Sequence, residues 1–181
     1  MRRRLFKNLV TAPSTEPVSE REPEVLEAAG ATLRGAIARR LGRSLAIREV
    51  DTGSCNACEL EIHALSNAFY DVERFGIRFV ASPRHADMLL VTGPVTHNMR
   101  EALERTYAAT PAPKWVVAVG DCGAGCGVFA NSYACVGAVA KVLPVDLVIR
   151  GCPPTPTDLL QGLLWLISDS AARAATDASR P

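Results

Sequence analysis

Apolar and polar positions change rhythm along the chain, and each change marks an element. Val25, Leu26, Ala29, Leu33, Ile37 and Leu41 recur near every fourth position, which predicts an amphipathic helix with one face on a core. From residue 45 the rhythm is different. LAIREV (45–50), IRFVAS (77–82), DMLLVTG (87–93), KWVVAVG (114–120) and DLVIR (146–150) are short apolar or β-branched runs. Runs of this kind form strands buried on both faces of a parallel sheet. Helical stretches are predicted between most of them, over 59–70, 97–107 and 133–142, with a last helix over 156–168. That last helix has a well-signalled start: Thr155 is a capping residue, Pro156 suits the first helical position, and Asp158 favours the positive end of the dipole. Strand and helix in alternation predict an open, doubly wound, mostly parallel α/β sheet of the flavodoxin-like kind, with an additional N-terminal helix.

Three regions follow from the same pattern. Residues 1–22 form a basic segment and a Pro-, Ser- and Glu-rich linker, 23–168 the α/β domain, and 169–181 a tail without large apolar residues. Leu5, Phe6, Leu9 and Val10 allow a short amphipathic helix that would rest on a membrane surface or a partner; a frayed terminus is the equal alternative. The arginines of MRRRLFKNLV are followed by a polar, proline-containing stretch, not by the apolar core of a signal peptide. No apolar run approaches the ~20 residues of a membrane span. A cytoplasmic, reducing setting is therefore expected, in which structural disulfides are disfavoured. The net charge of +1 lacks the basic excess of a nucleic-acid binder. Six cysteines then need explaining as ligands, catalysts or core.

Their placement is informative. Cys55 and Cys58, in GSCNACELE, follow the first predicted strand; Cys122 follows KWVVAVG; Cys152 follows DLVIR. The carboxyl ends of parallel strands share one edge of the sheet, so separate segments deliver four thiols to one place. Glycines at 53, 120, 123 and 151 allow tight turns there, and Pro153 and Pro154 stiffen the chain after Cys152. Four thiolates on such loops suit one 4Fe–4S cluster. A thioredoxin-like dithiol would use Cys55 and Cys58 and leave the other two loops unexplained. Zinc on Cys55, Cys58, Cys122 and Cys126 has good ligand spacing but leaves GCPPTP without a role. GAGCG lacks the spacing of a dinucleotide loop.

DTGSCNACELEI, SPRHADMLLVTGPVT, GDCGAGCGVF and PVDLVIRGCPPTPTDLLQGL together resemble the small subunit of membrane-bound, energy-converting nickel–iron hydrogenases of the formate-hydrogenlyase type. That family is homologous to the 20 kDa, B-type subunit of respiratory complex I. The resemblance covers about residues 45–166. Within it, adjacent cysteines in the first motif mark complex I, whereas C-x-x-C marks the hydrogenases. The resemblance implies that Cys55, Cys58, Cys122 and Cys152 hold the iron of one 4Fe–4S cluster. Cys126, where the family usually has glycine, is a spare thiol or a substitute ligand, and Cys135 is expected as buried core on a helix. The implied role is a redox subunit of an oxidoreductase complex, without a catalytic centre of its own. Its implied partners are a NiFe-type large subunit, a ferredoxin-like two-cluster subunit and membrane subunits, with the chain peripheral on the inner face of the cell membrane.

Weaker candidates remain. Glu59 and Glu61 follow Cys58 in a first helical turn, where the dipole favours carboxylates, and a proton relay toward the large subunit is the functional alternative. His63, His85 and His97 have no mutual ligand spacing. Arg84, His85 and Asp87 are expected to serve packing, and VTGPVT (91–96) to wall the cluster pocket. A complex I-like NADH:quinone oxidoreductase B-type subunit is the alternative within the class; a zinc-stabilised scaffold module is the alternative outside it.

Overall fold

The computed structural model of the chain describes residues 21–178, with side chains over 23–168. The amphipathic helix expected within 1–10 lies outside the described residues. Helix α1 (Arg21–Leu41) leads into β1 (Leu45–Asp51), α2 (Ala57–Ala64) and β2 (Ile77–Phe79). Then come β3 (Met88–Thr92), β4 (Val95–Thr96), α3 (His97–Ala109) and β5 (Trp115–Val119). A one-turn helix α4 (Gly120–Gly123), β6 (Cys135–Gly137), β7 (Leu147–Ile149) and α5 (Pro156–Ala178) complete the chain.

Five strands form one parallel sheet in the order β2-β1-β3-β5-β7, and β4 pairs with β6 in a small antiparallel ribbon. Taken in chain order, the five parallel strands run 2-1-3-4-5, the doubly wound flavodoxin-like arrangement expected from the alternation. The two-residue period of a strand explains the layers. On β3, Met88 and Leu90 join the core under α1 and α5, while Leu89 and Val91 join the core under α3 that includes Leu103. All five β3 residues are buried, so the run reads as continuously apolar rather than alternating. Full burial of each such side chain contributes about 1.5–3 kcal/mol, which makes the centre of the sheet the rigid frame for its loops.

The start of α5 is as expected. The Thr155 amide and hydroxyl both donate to the Asp158 carboxylate, and the Asp158 amide donates to the Thr155 hydroxyl oxygen at 3.2 Å. This reciprocal cap fixes where the helix begins. The helix runs on to Ala178, beyond the expected end near residue 168.

Two helical expectations need correction. The stretch predicted over 59–70 stops at Ala64, because the Asn67 carboxamide oxygen accepts from the amides of Phe69 and Tyr70 and turns the chain. The stretch predicted over 133–142 is strand β6 followed by a 3-10 turn, Val139–Lys141. Gly137 has φ +113 there, outside the helical region, and the β-branched valines of this stretch favour extended chain. Cys135 is therefore half-buried on a strand opposite Thr96, not buried on a helix.

Candidate cluster site at the carboxyl edge of the sheet

The loops that leave β1, β5 and β7 meet at the carboxyl edge, beside the point where the strand order reverses between β1 and β3. Ligands of open α/β sheets bind in that crevice. Local hydrogen bonds fix each loop. After β1, the Asp51 carboxylate accepts from the amides of Gly53 and Ser54, and the Ser54 hydroxyl accepts from the amide of Asn56. The buried Thr52 hydroxyl donates to the Thr92 carbonyl at 2.7 Å, and the Thr96 hydroxyl donates to the Thr52 carbonyl at 2.9 Å. Thus VTGPVT is bolted to the loop that carries Cys55 and Cys58, as a wall of the site should be.

The other two loops are tied to each other. The Asp121 amide donates to the Gly151 carbonyl at 2.8 Å, and the Gly151 amide donates to the Asp121 carboxylate at 3.3 Å. Cys122 and Cys152 are thereby held side by side. Two glycines have a clear steric reason. A Cβ on Gly120, whose φ is +80, would lie 2.7 Å from Cys58 Sγ, and one on Gly127 would lie 2.3 Å from Cys122 Sγ. Any side chain there would displace a sulfur.

Electrostatics report the same convergence. Burial pushes the Cys58 thiol up to about 12, and Glu59 and the sulfurs of Cys55, Cys122 and Cys152 push the same way. Burial also raises Cys122, with Cys152 and Cys55 adding to it, while the backbone amides of Phe129 and Val128 pull it down by donating to the sulfur. Burial and the neighbouring sulfurs disfavour the thiolate forms of Cys58 and Cys122, which a bound cation would favour. Cys58 is buried, Cys122 half-buried, and Cys55 and Cys152 are exposed, so the site opens at the edge of the sheet. The donor set, the amides aimed at sulfur and the glycine space all fit an iron–sulfur cluster.

Cys126 has other partners. Its exposed sulfur accepts from Arg150 Nη1 at 2.5 Å and lies 3.5 Å from the Asp121 carbonyl oxygen.

The carboxylates separate. Glu59 is only 6% exposed and neither of its oxygens has a partner among the described residues, whereas Glu61 is half-buried. Glu49 on β1 joins them, a residue the sequence pattern alone does not single out. One of its oxygens is buried without a partner among the described residues, and the other lies 3.5 Å from His63 Nε2. Burial raises the Glu49 carboxyl, with His63 opposing and Glu59 adding to the rise. The signal that could have found it is Arg48-Glu49 inside a run otherwise apolar enough for a buried strand. His85 and His97 lie away from this group, on a 3-10 turn and at the start of α3.

Asp87 is structural, as expected: it takes a two-pronged ion pair from Arg43 and accepts from the Ala46 amide at 3.0 Å. Arg84 and His85 do not pack into the core; both are exposed at the surface. Among the described residues no helix is long and apolar enough to cross a membrane.

Comparison with known proteins bears directly on this geometry. The chain is 42% identical over 140 residues to formate hydrogenlyase subunit 7 of Escherichia coli, covering 77% of itself and 55% of that protein, so it spans about half the length of that relative. It is 44% identical to the probable membrane-bound hydrogenase subunit mbhJ of Pyrococcus furiosus, covering 72% of itself and 78% of the relative. With one subunit of the F(420)H(2) dehydrogenase of Methanosarcina mazei it shares 43% identity, over 67% of this chain and 66% of that one. Among solved structures, a chain of the membrane-bound sulfane sulfur reductase, an archaeal respiratory membrane complex, superposes with a TM-score of 0.61 at 33% identity, over 81% of this chain and 75% of that one. Residues 55–166, which begin at the first cysteine of the site and include all the others, match the family described as NADH ubiquinone oxidoreductase, 20 Kd subunit, and the chain belongs to it.

Proposed function

We propose that the chain is the electron-transfer subunit of a membrane-bound oxidoreductase complex, holding one 4Fe–4S cluster on Cys55, Cys58, Cys122 and Cys152. The observation that carries this reading is the meeting of four thiols from three loops at one edge of the sheet, where burial first and the neighbouring sulfurs second raise the cost of ionising Cys58 and Cys122. When bound, the cluster supplies a one-electron carrier. The protein's part is to hold the sulfurs, donate amides to them and limit water on the Cys58 side. Among the described residues no three His, Cys, Asp or Glu side chains are close enough together to hold one metal ion. Cys152, tied to the Cys122 loop through Asp121 and Gly151 but unused by zinc on Cys55, Cys58, Cys122 and Cys126, favours the cluster over the zinc alternative.

One carrier cannot be a relay alone, so electrons enter from one neighbour and leave to another. The neighbours proposed are a NiFe-hydrogenase-type large subunit and a ferredoxin-like subunit, with membrane subunits completing the complex. The chain would then lie peripherally on the inner face of the membrane. Val128, Phe129 and Tyr133, exposed on the loop after Cys122, and Leu60 on α2 offer an apolar contact surface beside the site. The C-x-x-C spacing of Cys55 and Cys58 favours the hydrogenase type over the quinone-reductase type. Glu59, buried and unpartnered next to Cys58 among the described residues, is better placed than Glu61 for any proton work at that interface.

Anaerobically prepared protein should be brown and carry about four iron and four sulfide per chain. Stoichiometric zinc without sulfide, from iron-replete anaerobic preparation, overturns the cluster assignment.

A further inference from the structure

A sizeable cleft lies away from the thiol site. It has a volume of about 820 Å³ and lies at the opposite, amino-terminal end of the sheet, between the end of α1, the turn after β2 and the loop before β5. Its lining includes Arg40, Arg43, Arg78, Arg84 and the imidazole of His85 against a single carboxylate, Asp87. Asp87 is committed: its two oxygens hold Arg43, and one of them also takes the Ala46 amide. Arg40 lies over the Trp115 ring, 5.4 Å from its centre. Arg78 and Arg84 reach the surface, and among the described residues no hydrogen bond or ion pair engages their side chains. The floor between these cations is apolar, with Val80, Pro113 and Trp115.

Arg78 and Arg84 give this concavity positive charge that nothing among the described residues uses. Guanidinium forks pair with carboxylates in a two-pronged geometry, and arginine with tryptophan is the pairing that carries energy at protein interfaces. A membrane surface is a poorer match. Binding flat to lipid needs apolar side chains that project outward and insert. The large exposed apolar side chains of the described residues, among them Leu60, Phe69, Val128, Tyr133 and Trp165, all lie elsewhere.

We propose that this cleft is a second docking site, which takes an acidic segment of a partner subunit, with Asp or Glu side chains on Arg78 and Arg84 and an apolar residue on the Trp115 floor. The proposal rests on the reading of the chain as one subunit of a complex. It gives that subunit two working edges, one for electrons and one for anchorage, at opposite ends of the same strands.

The test uses the assembled complex. Arg78→Lys and Arg84→Lys keep the charge and supply an amine that a carbodiimide joins to a carboxylate in contact with it. Expected are cross-linked peptides that connect position 78 or 84 to an Asp or Glu of a partner subunit and are absent from the unsubstituted complex. In parallel, the double variant R78E/R84E should retain partner subunits about tenfold less well at low salt, because like charges then oppose across the contact. Its iron content should be unchanged, since the thiols lie at the other edge. Unchanged subunit retention with no cross-link overturns the proposal. So does a loss confined to binding of vesicles of phosphatidylglycerol and phosphatidylcholine, which assigns the cleft to lipid. If the unsubstituted chain joins no partner at all, the subunit reading falls as well, which separates the two failures.

Discussion

The carboxyl edge of the sheet is crowded, with β1, β5 and β7 running out into glycine-rich loops whose backbones hydrogen-bond to one another and bring sulfur together. At the amino edge β1, β3 and β5 begin beside an open cleft lined by arginines, where the Arg43–Asp87 ion pair neutralises one of the cations. The difference lies in how far each edge is completed by the chain itself. The sulfur loops fix their own geometry, and burial with neighbouring sulfurs disfavours ionised Cys58 and Cys122. Arg43 is settled by Asp87 and Arg40 lies over Trp115, whereas Arg78 and Arg84 leave charge for another molecule. On the two proposals made above, each edge would take a guest of opposite sign: iron at one end, carboxylate at the other.

The sharpest way to break this picture is at the sulfur edge. Cys122→Ser should abolish or severely reduce bound iron and sulfide, whereas Cys126→Ser should retain the cluster, because Arg150 and the Asp121 carbonyl already occupy the Cys126 sulfur. The measurement is iron content and visible absorption after anaerobic preparation. The reverse outcome makes Cys126 the ligand and moves the site toward the zinc-type spacing.

The next effect concerns the buried carboxylate beside it. Glu59→Gln keeps size and burial and removes the acid, so if Glu59 passes protons the turnover of the assembled complex should fall by about 10²–10⁴-fold, the usual value of a general acid–base step. Glu61→Gln should leave turnover nearly unchanged. Cluster absorption serves as the control in both. Equal, near-normal turnover removes the proton role from this edge and leaves it electron chemistry alone.

How much of each edge was legible follows from the same contrast. The cysteines stand directly after apolar runs, and a parallel sheet collects everything that follows its strands at one edge; the topology therefore turned a one-dimensional spacing into a site. Arg40, Arg43, Arg78 and Arg84 have no such grammar. They fall at a helix end, in a turn, within a short strand and on a 3-10 turn, where each reads as an ordinary solvated charge. Only folding reveals that they face one cleft. Glu49 escapes notice for a related reason, since a polar residue in a strand gives no sign of what it faces. The helix expected over 133–142 was wrong because apolar content alone does not distinguish it from extended chain; Gly137, with φ +113, decides for the latter.

The smallest effect tests whether the two edges are independent. Asp87 is 8% exposed and satisfies both the Arg43 guanidinium and the amide of Ala46, a fully buried residue at the start of β1. Asp87→Ala leaves that amide without an acceptor, at a cost of about 1–3 kcal/mol. For a chain of this length the melting temperature should fall by roughly 2–12 °C. Asp87→Asn keeps an oxygen for the amide and loses only the charge, so its fall should be smaller; the Arg43 side chain is 54% exposed and water covers much of the difference. Iron content per folded chain should stay at the unsubstituted value in both variants. The central strands between the edges are buried on both faces, so a local loss at their amino ends has no direct contact through which to disturb sulfur at their carboxyl ends. A variant that melts only slightly lower yet loses its iron shows that the edges communicate, and the division between an electron edge and an anchoring edge then fails.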